Sequence, residues 1–213
     1  IYYKPRLVMN CILKKLFSYF FSFFIVLSLP VLAGSVLEIT ENDFVIGDED
    51  ASITIIEYAS LSCSHCADFH INTLPKLKKE FVDTGKAKIV FRDFPFNYPA
   101  LLGSMVLRCV PEDIRYQYSN ALYKLQSKWV ARENAKSTQE LYKIMQSGGM
   151  TKEEFNQCIE DVDLENEILQ GVISAQSEFN IKSTPSFIIN GILLEGNKPI
   201  KDFRQIINKI LSE

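Results

Sequence analysis

Cys63-Ser64-His65-Cys66 is the stretch of this sequence best suited to chemistry. Two cysteines separated by two residues can close a small disulfide. The chain has 213 residues and five cysteines, and the other three, Cys11, Cys109 and Cys158, stand far from this pair and from one another. A purely structural disulfide across so short a loop would staple almost no chain. A four-cysteine zinc site would need two close pairs, and Ala67 stands where the C-x-x-C-H of haem attachment would place a histidine. Redox exchange is the chemistry that two cysteines at this spacing fit best. The pair follows Ile53–Ala59, whose β-branched and aromatic residues read as a strand. It precedes Phe69, Leu74, Leu77 and Phe81, which recur near helical spacing. Cys63 therefore falls at a helix N-terminus, where unpaired N–H groups and the helix dipole favour a thiolate. Stabilising the reduced form makes the disulfide a stronger oxidant. His65 strengthens this if its ring donates to the Cys63 sulfur or lies cationic beside it. Cys66, one turn deeper, is expected to be buried and less reactive.

The elements that must position the pair follow in order. Residues 38–50 read as a leading strand or loop. After the cysteines the helix carries Pro75, which should kink it, and Thr84-Gly85-Lys86 turns the chain. A second strand, Ala87–Phe94, completes a β-α-β unit with parallel strands and a right-handed crossover. A helix over Pro99–Cys109 ends before Pro111. The next 70 residues hold helical patterns at Ile114–Trp129, Gln139–Met145, Lys152–Ile159 and Leu164–Phe179, with a turn at Gly148-Gly149. Two short apolar runs then flank Asn190-Gly191, a strong two-residue hairpin signal, and Ile200–Leu211 closes the chain as a helix. Tyr116, Tyr118, Tyr123 and Trp129 read as core, and His70 as a surface or satisfied histidine.

Composition limits the setting. The formal charge is −3, from 23 basic and 26 acidic residues. Lys4, Arg6, Lys14 and Lys15 lie in the first 33 residues, which hold no acid. The body is therefore the more acidic part, which disfavours nucleic acid and anionic lipid as partners. Leu16–Ala33 is uncharged and largely apolar, follows Lys14-Lys15 and ends Val31-Leu32-Ala33. That is the order of a secretory signal peptide, with an uncleaved membrane anchor as the alternative. Export implies an oxidising compartment such as a periplasm. Four cysteines remain outside the signal. Cys109 and Cys158 then read as a second disulfide, structural or modulating, or else as two unrelated buried thiols.

The order strand, C-x-x-C, helix, strand, helices, Thr-Pro, hairpin and helix resembles an α/β thioredoxin-like fold with an inserted helical domain. It is most similar to DsbA-like thiol:disulfide oxidoreductases of the alphaproteobacterial type. The runs Ile55–Cys66 (IIEYASLSCSHC), Phe69–Lys78 (FHINTLPKLK), Val90–Pro95 (VFRDFP) and Thr184–Gly196 (TPSFIINGILLEG) carry the likeness. With the signal peptide read over 1–33, the likeness implies a first thioredoxin-like part over 34–110, a helical insertion over 111–180 and a second thioredoxin-like part over 181–213. It makes Cys63 the exchanging cysteine, Cys66 its partner and Pro185 a cis-proline facing the disulfide. Thr184 then offers its backbone to a substrate peptide, and Glu57 is the buried acid that shuttles a proton to or from Cys66. Ser-His between the cysteines and Thr before the proline depart from the best-known pattern, at positions that tune thiolate stability and substrate release. The resemblance implies a monomeric periplasmic oxidase with no cofactor beyond its redox-active disulfide. Its substrates would be unfolded or cysteine-containing exported proteins, and a DsbB-like membrane protein would re-oxidise it. The alternatives are a disulfide isomerase or reductase of the same fold, and a copper or other metal carrier using Cys63, His65 and Cys66.

Overall fold

Ile53–Ala59 is the strand around which the sheet is organised, because both of its faces are covered. We label it β2, after the short strand β1 at Phe44–Ile46. The structure is a computed structural model and describes residues 37–212; the signal-peptide reading over 1–33 and Cys11 lie outside the described residues. Strand β2 pairs in parallel with β3 (Ala87–Asp93), and β1 pairs antiparallel on the far side of β3. On its other edge β2 pairs antiparallel with β4 (Ser186–Ile189), which pairs with β5 (Ile192–Glu195), giving the order β1-β3-β2-β4-β5. This is the mixed sheet of a thioredoxin-like fold. Its hairpin turns at Asn190 (φ 45°) and Gly191 (φ 88°), the positive dihedrals a tight two-residue turn requires. The Asn190 side chain accepts from Thr54 N at 2.7 Å and donates to Ser52 O at 3.0 Å, which ties the hairpin to the start of β2.

The period-2 alternation of a strand sends the residues of β2 to two different cores. Ile53 and Ile55 join Ile89, Phe187 and Ile189 beneath Phe69, Leu74, Leu77 and Phe81 of the helix α1 (64–82) and Phe203 and Ile207 of the closing helix α8 (Ile200–Leu211). Ile56 and Tyr58 face the other way, against Ala175 and its neighbours on α7 (Val162–Phe179). Glu57 keeps the parity of Ile53 and Ile55, and so points toward α1.

The helix α1 is not uniform. It opens as an α-helix over Ser64–Asp68, widens into a π-turn at Phe69–Thr73, returns to α at Leu74–Leu77 and widens again at Lys78–Val82. The first π-turn lies directly before Pro75, whose nitrogen cannot donate and whose ring would crowd the carbonyl one turn back. The change of winding absorbs the expected kink.

The remaining helices are α2 (Tyr98–Arg108), α3 (Glu112–Lys124), α4 (Gln126–Trp129), α5 (Asn134–Ser147) and α6 (Lys152–Ile159), followed by α7. The single helix expected over Ile114–Trp129 is broken at Leu125, and the pattern at Gln139–Met145 extends to Asn134–Ser147. Leu102 and Val106 of α2 share one core with Leu122, Trp129, Leu141, Met145 and Phe155 of the helices that follow, and that core reaches Leu61 and Cys66 beside the C-x-x-C loop. At Gly103 an added Cβ would lie 3.0 Å from both Leu61 and Trp129, so a side chain there would force them apart. Trp129 is fully buried and its indole N–H donates to Leu122 O at 2.9 Å; Tyr123 is also buried, whereas Tyr116 and Tyr118 are only partly so.

A disulfide joins Cys109, at the end of α2, to Cys158 on α6, with a Cα–Cα distance of 6.2 Å and a sequence separation of 49. Replacing both cysteines by alanine should lower the unfolding free energy by up to about 4 kcal/mol, the chain-entropy limit for a loop of this length. Urea unfolding with Cys63 and Cys66 held in one redox state measures it, and an unchanged midpoint would refute the expectation.

Candidate active site

Cys63 occupies the N-cap position of α1, with φ −82° and ψ 122° and no side-chain cap. A serine or aspartate in this position would offer oxygen to the free N–H groups of the first turn; here the acceptor is sulfur. Cys63 and Cys66 are free thiols, the first half-buried and the second fully buried. The Cys63 thiol is lowered to about 5. The leading cause is a hydrogen bond from the Cys66 thiol, opposed by partial burial and aided by Thr184 and by the backbone N–H groups of Cys66 and His65. Burial pushes the Cys66 thiol in the opposite direction, far above its usual range, and the Cys63 and Glu57 charges add to the effect. One sulfur is thus held ready as a thiolate at neutral pH, and the other is held as a thiol.

The Thr184–Pro185 peptide is cis, and Thr184 O stands 3.4 Å from Cys63 Sγ, accepting from the thiol. The Thr184 hydroxyl beside it is buried and makes no hydrogen bond of its own. The His65 ring is exposed and hydrogen-bonds to neither sulfur; this residue acts on Cys63 through its backbone N–H, not through the imidazole contact expected from the sequence. A helix N-terminus aims its amides inward at the cap position while the second side chain projects outward, so the difference follows from helix geometry.

Glu57 is completely buried, and its Oε1 lies 3.0 Å from His70 Nε2. His70 is itself buried and stacks on Tyr123 with ring centroids 4.0 Å apart. The surface alternative for His70 is therefore wrong. The signal was present, since a residue four positions after the buried Cys66 repeats its inward face. Gln126 is a second residue missed in the sequence. From α4 its Nε2 donates to Leu61 O at 2.9 Å and to Cys63 O at 3.0 Å, which braces the C-x-x-C loop against the helical block. No local pattern marks it, because the contact spans more than 60 residues.

Two sulfurs of opposed acidity at a helix N-terminus, beside a cis-proline on a thioredoxin-like sheet, define a thiol:disulfide oxidoreductase. A thioredoxin family model matches residues 39–209, and the chain belongs to that family, as a DsbA-like member. It is 32% identical over 177 residues to a Rickettsia bellii chain named a protein-disulfide oxidoreductase, covering 83% of this chain and 67% of that one. It is also 32% identical to a Rickettsia conorii chain of the same name, of which it spans 63%. Among solved structures, alpha-DsbA1 of Wolbachia pipientis superposes with a TM-score of 0.76 at 32% identity, over 81% of this chain and 92% of that one. The fold also matches BdbD of Bacillus subtilis, with a TM-score of 0.72 at 20% identity over 81% of this chain and 94% of that one.

Absorbance of the reduced protein at 240 nm should show one thiolate forming with a midpoint near 5, assigned by its loss in Cys63→Ser. The folded value lies below the ordinary thiol value of 9.0, so ionisation stabilises the reduced fold. That contribution is complete above pH 9, shrinks as the pH falls and is gone below about 5. Unfolding curves of reduced protein, compared with oxidised protein across this range, measure it. Gln126→Ala should cost about 1–3 kcal/mol by leaving two loop carbonyls without their donor, read by denaturant unfolding.

Proposed function

We propose that this chain is an exported dithiol oxidase that donates the Cys63–Cys66 disulfide to thiols of unfolded or cysteine-containing exported proteins. It acts as a monomer in the periplasm and is re-oxidised by a DsbB-like membrane protein. The observation that carries the reading is the opposition between the two thiols, with Cys63 lowered to about 5 and Cys66 raised by burial. A disulfide whose reduced form is stabilised in this way gives up its bond readily.

In the forward reaction a substrate thiolate attacks Cys63 Sγ, and the electron pair of the broken S–S bond goes to Cys66. The stabilised, half-exposed sulfur is thus the one that meets substrate. The buried sulfur leaves as a thiolate and must take up a proton, for which Glu57 is the buried acid. A second substrate thiol then attacks the mixed disulfide, releasing oxidised substrate and the Cys63 thiolate. The backbone at Thr184, beside Cys63, offers an edge for an extended peptide by strand-like pairing. The exchange uses no cofactor beyond the disulfide itself.

The opposed thiols favour an oxidase over a reductase, which gains nothing from a stabilised reduced form. Among the described residues no group of three or more His, Cys, Asp and Glu is placed to hold a metal ion, which counts against a metal carrier. No helix of the described residues is long and apolar enough to cross a membrane.

Oxidised protein should convert a dithiol peptide to its disulfide, and Cys63→Ser should abolish turnover. Equilibration with glutathione should give a reduction potential toward about −120 mV; a value near about −270 mV would make the protein a reductant instead. The potential should fall by about 59 mV per pH unit below pH 5 and by about 30 mV per unit above it, because the reduced form then binds one proton rather than two.

A further inference from the structure

Cys66 gains and loses a proton in each catalytic cycle, yet its sulfur sits in a core without solvent. The proton must therefore travel through the protein. Glu57 is buried and hydrogen-bonded to His70, and each of the two keeps one buried polar atom without a protein partner, Glu57 Oε2 and His70 Nδ1. Such atoms are rare, because an unmade hydrogen bond in a core is costly. The His70 ring is held between Tyr123, at 4.0 Å between centroids, and Phe91, at 5.8 Å. Its Nε2 is thereby committed to Glu57 and its Nδ1 left open. His70 also lines a cleft of about 40 Å³, which has room for water.

The ionisable groups that line this cleft together with His70 are Arg92 and Asp93 on β3, Arg108 on α2, and Arg115 and Tyr123 on α3, while Glu57 on β2 bonds the ring directly. Arg108 is paired with Asp93 at 2.7 Å, and Arg115 donates to the carbonyls of Arg108 and Val110. Among the described residues, Glu57 is the acid hydrogen-bonded to the ring.

We propose that His70 is a positioning residue that orients Glu57 and connects it through this cleft to solvent, forming a proton path to Cys66 separate from the surface at which substrate meets Cys63. The proposal rests on the oxidoreductase reading above. As a substrate thiolate bonds to Cys63 Sγ and the Cys63–Cys66 bond breaks, Glu57 passes a proton to the Cys66 thiolate. His70 returns one to Glu57 and recovers it from solvent at Nδ1. On re-oxidation by a disulfide-bearing partner, Cys66 gives its proton to Glu57 as its sulfur attacks Cys63 Sγ of the mixed disulfide, and the partner's sulfur leaves with the electron pair. His70 then carries the proton outward.

The test is rapid-mixing reduction of the oxidised protein by a dithiol peptide between pH 5 and 9. His70→Gln keeps a donor for Glu57 but cannot relay a proton. Its rate should fall about tenfold with an altered pH profile, while the Cys63 thiolate still titrates near 5. Adding Glu57→Gln should slow it no further, since the two residues act in one path, and imidazole in solution should restore the rate of His70→Ala. A His70→Gln variant with the wild-type rate and pH profile overturns the proposal, as does a double variant whose losses multiply. Should the variants fail to fold, ring ¹⁵N shifts of the wild-type chain, which has two histidines, decide the matter. The His70 shifts must differ between the disulfide and dithiol forms, and identical shifts overturn the proposal. A wild-type chain that exchanges no disulfide at all would instead remove the oxidoreductase reading.

Discussion

A sulfur at a helix N-cap interacts with amides that have no other partner, and the rest of this structure serves that interaction. Those N–H groups exist at the start of every helix and are usually met by an oxygen or by water. Here they meet Cys63, whose sulfur is stabilised first by the Cys66 thiol and then by Thr184 and these amides. Stabilisation of one thiolate would be of little use if the second sulfur behaved alike. The fold separates them by placing Cys63 at the edge of a cluster and Cys66 within it.

That separation comes from two packing decisions. The alternation of β2 divides the protein into a core beneath α1 and α8 and a second core against α7. A third cluster, built by α2 and the helical block, closes over the inner side of the C-x-x-C turn. Leu61, Cys66 and Ala67 belong to it, so the helical block sets how deeply Cys66 lies, and Gln126 fixes the loop from the same side. The helical segment thus contributes to the electrostatics of the redox pair as well as offering surface. A disulfide ties the helical block to the end of α2, with Cys158 in a smaller cluster beside Met105 and Ile168.

Much of this was legible in the sequence. The strand Ile53–Ala59, the hairpin at Asn190-Gly191 and the helix Ile200–Leu211 declare themselves through short-range signals: β-branched runs, a turn dipeptide and apolar spacing. The β3 strand ends one residue earlier than expected, and the break at Leu125 was missed because the apolar pattern continues through it. Departures of this kind occur where a tertiary contact outweighs local preference. In the site, Cys63, Cys66, Glu57, Thr184 and Pro185 were singled out from motif and order, whereas Gln126 was not and His70 was left between a surface and a satisfied position.

The chain's own sequence determined which atoms can do the chemistry, because a C-x-x-C between a strand and a helix places one sulfur at a cap by local geometry alone. It also determined the facing of Glu57, since strand parity is set by position. Only the tertiary structure decided that Glu57 meets His70, that Thr184 reaches Cys63 across 121 residues and that the His65 ring does not. Those outcomes depend on which surfaces meet when distant segments pack. Burial and electrostatic coupling are properties of that meeting, and no short stretch of sequence contains them.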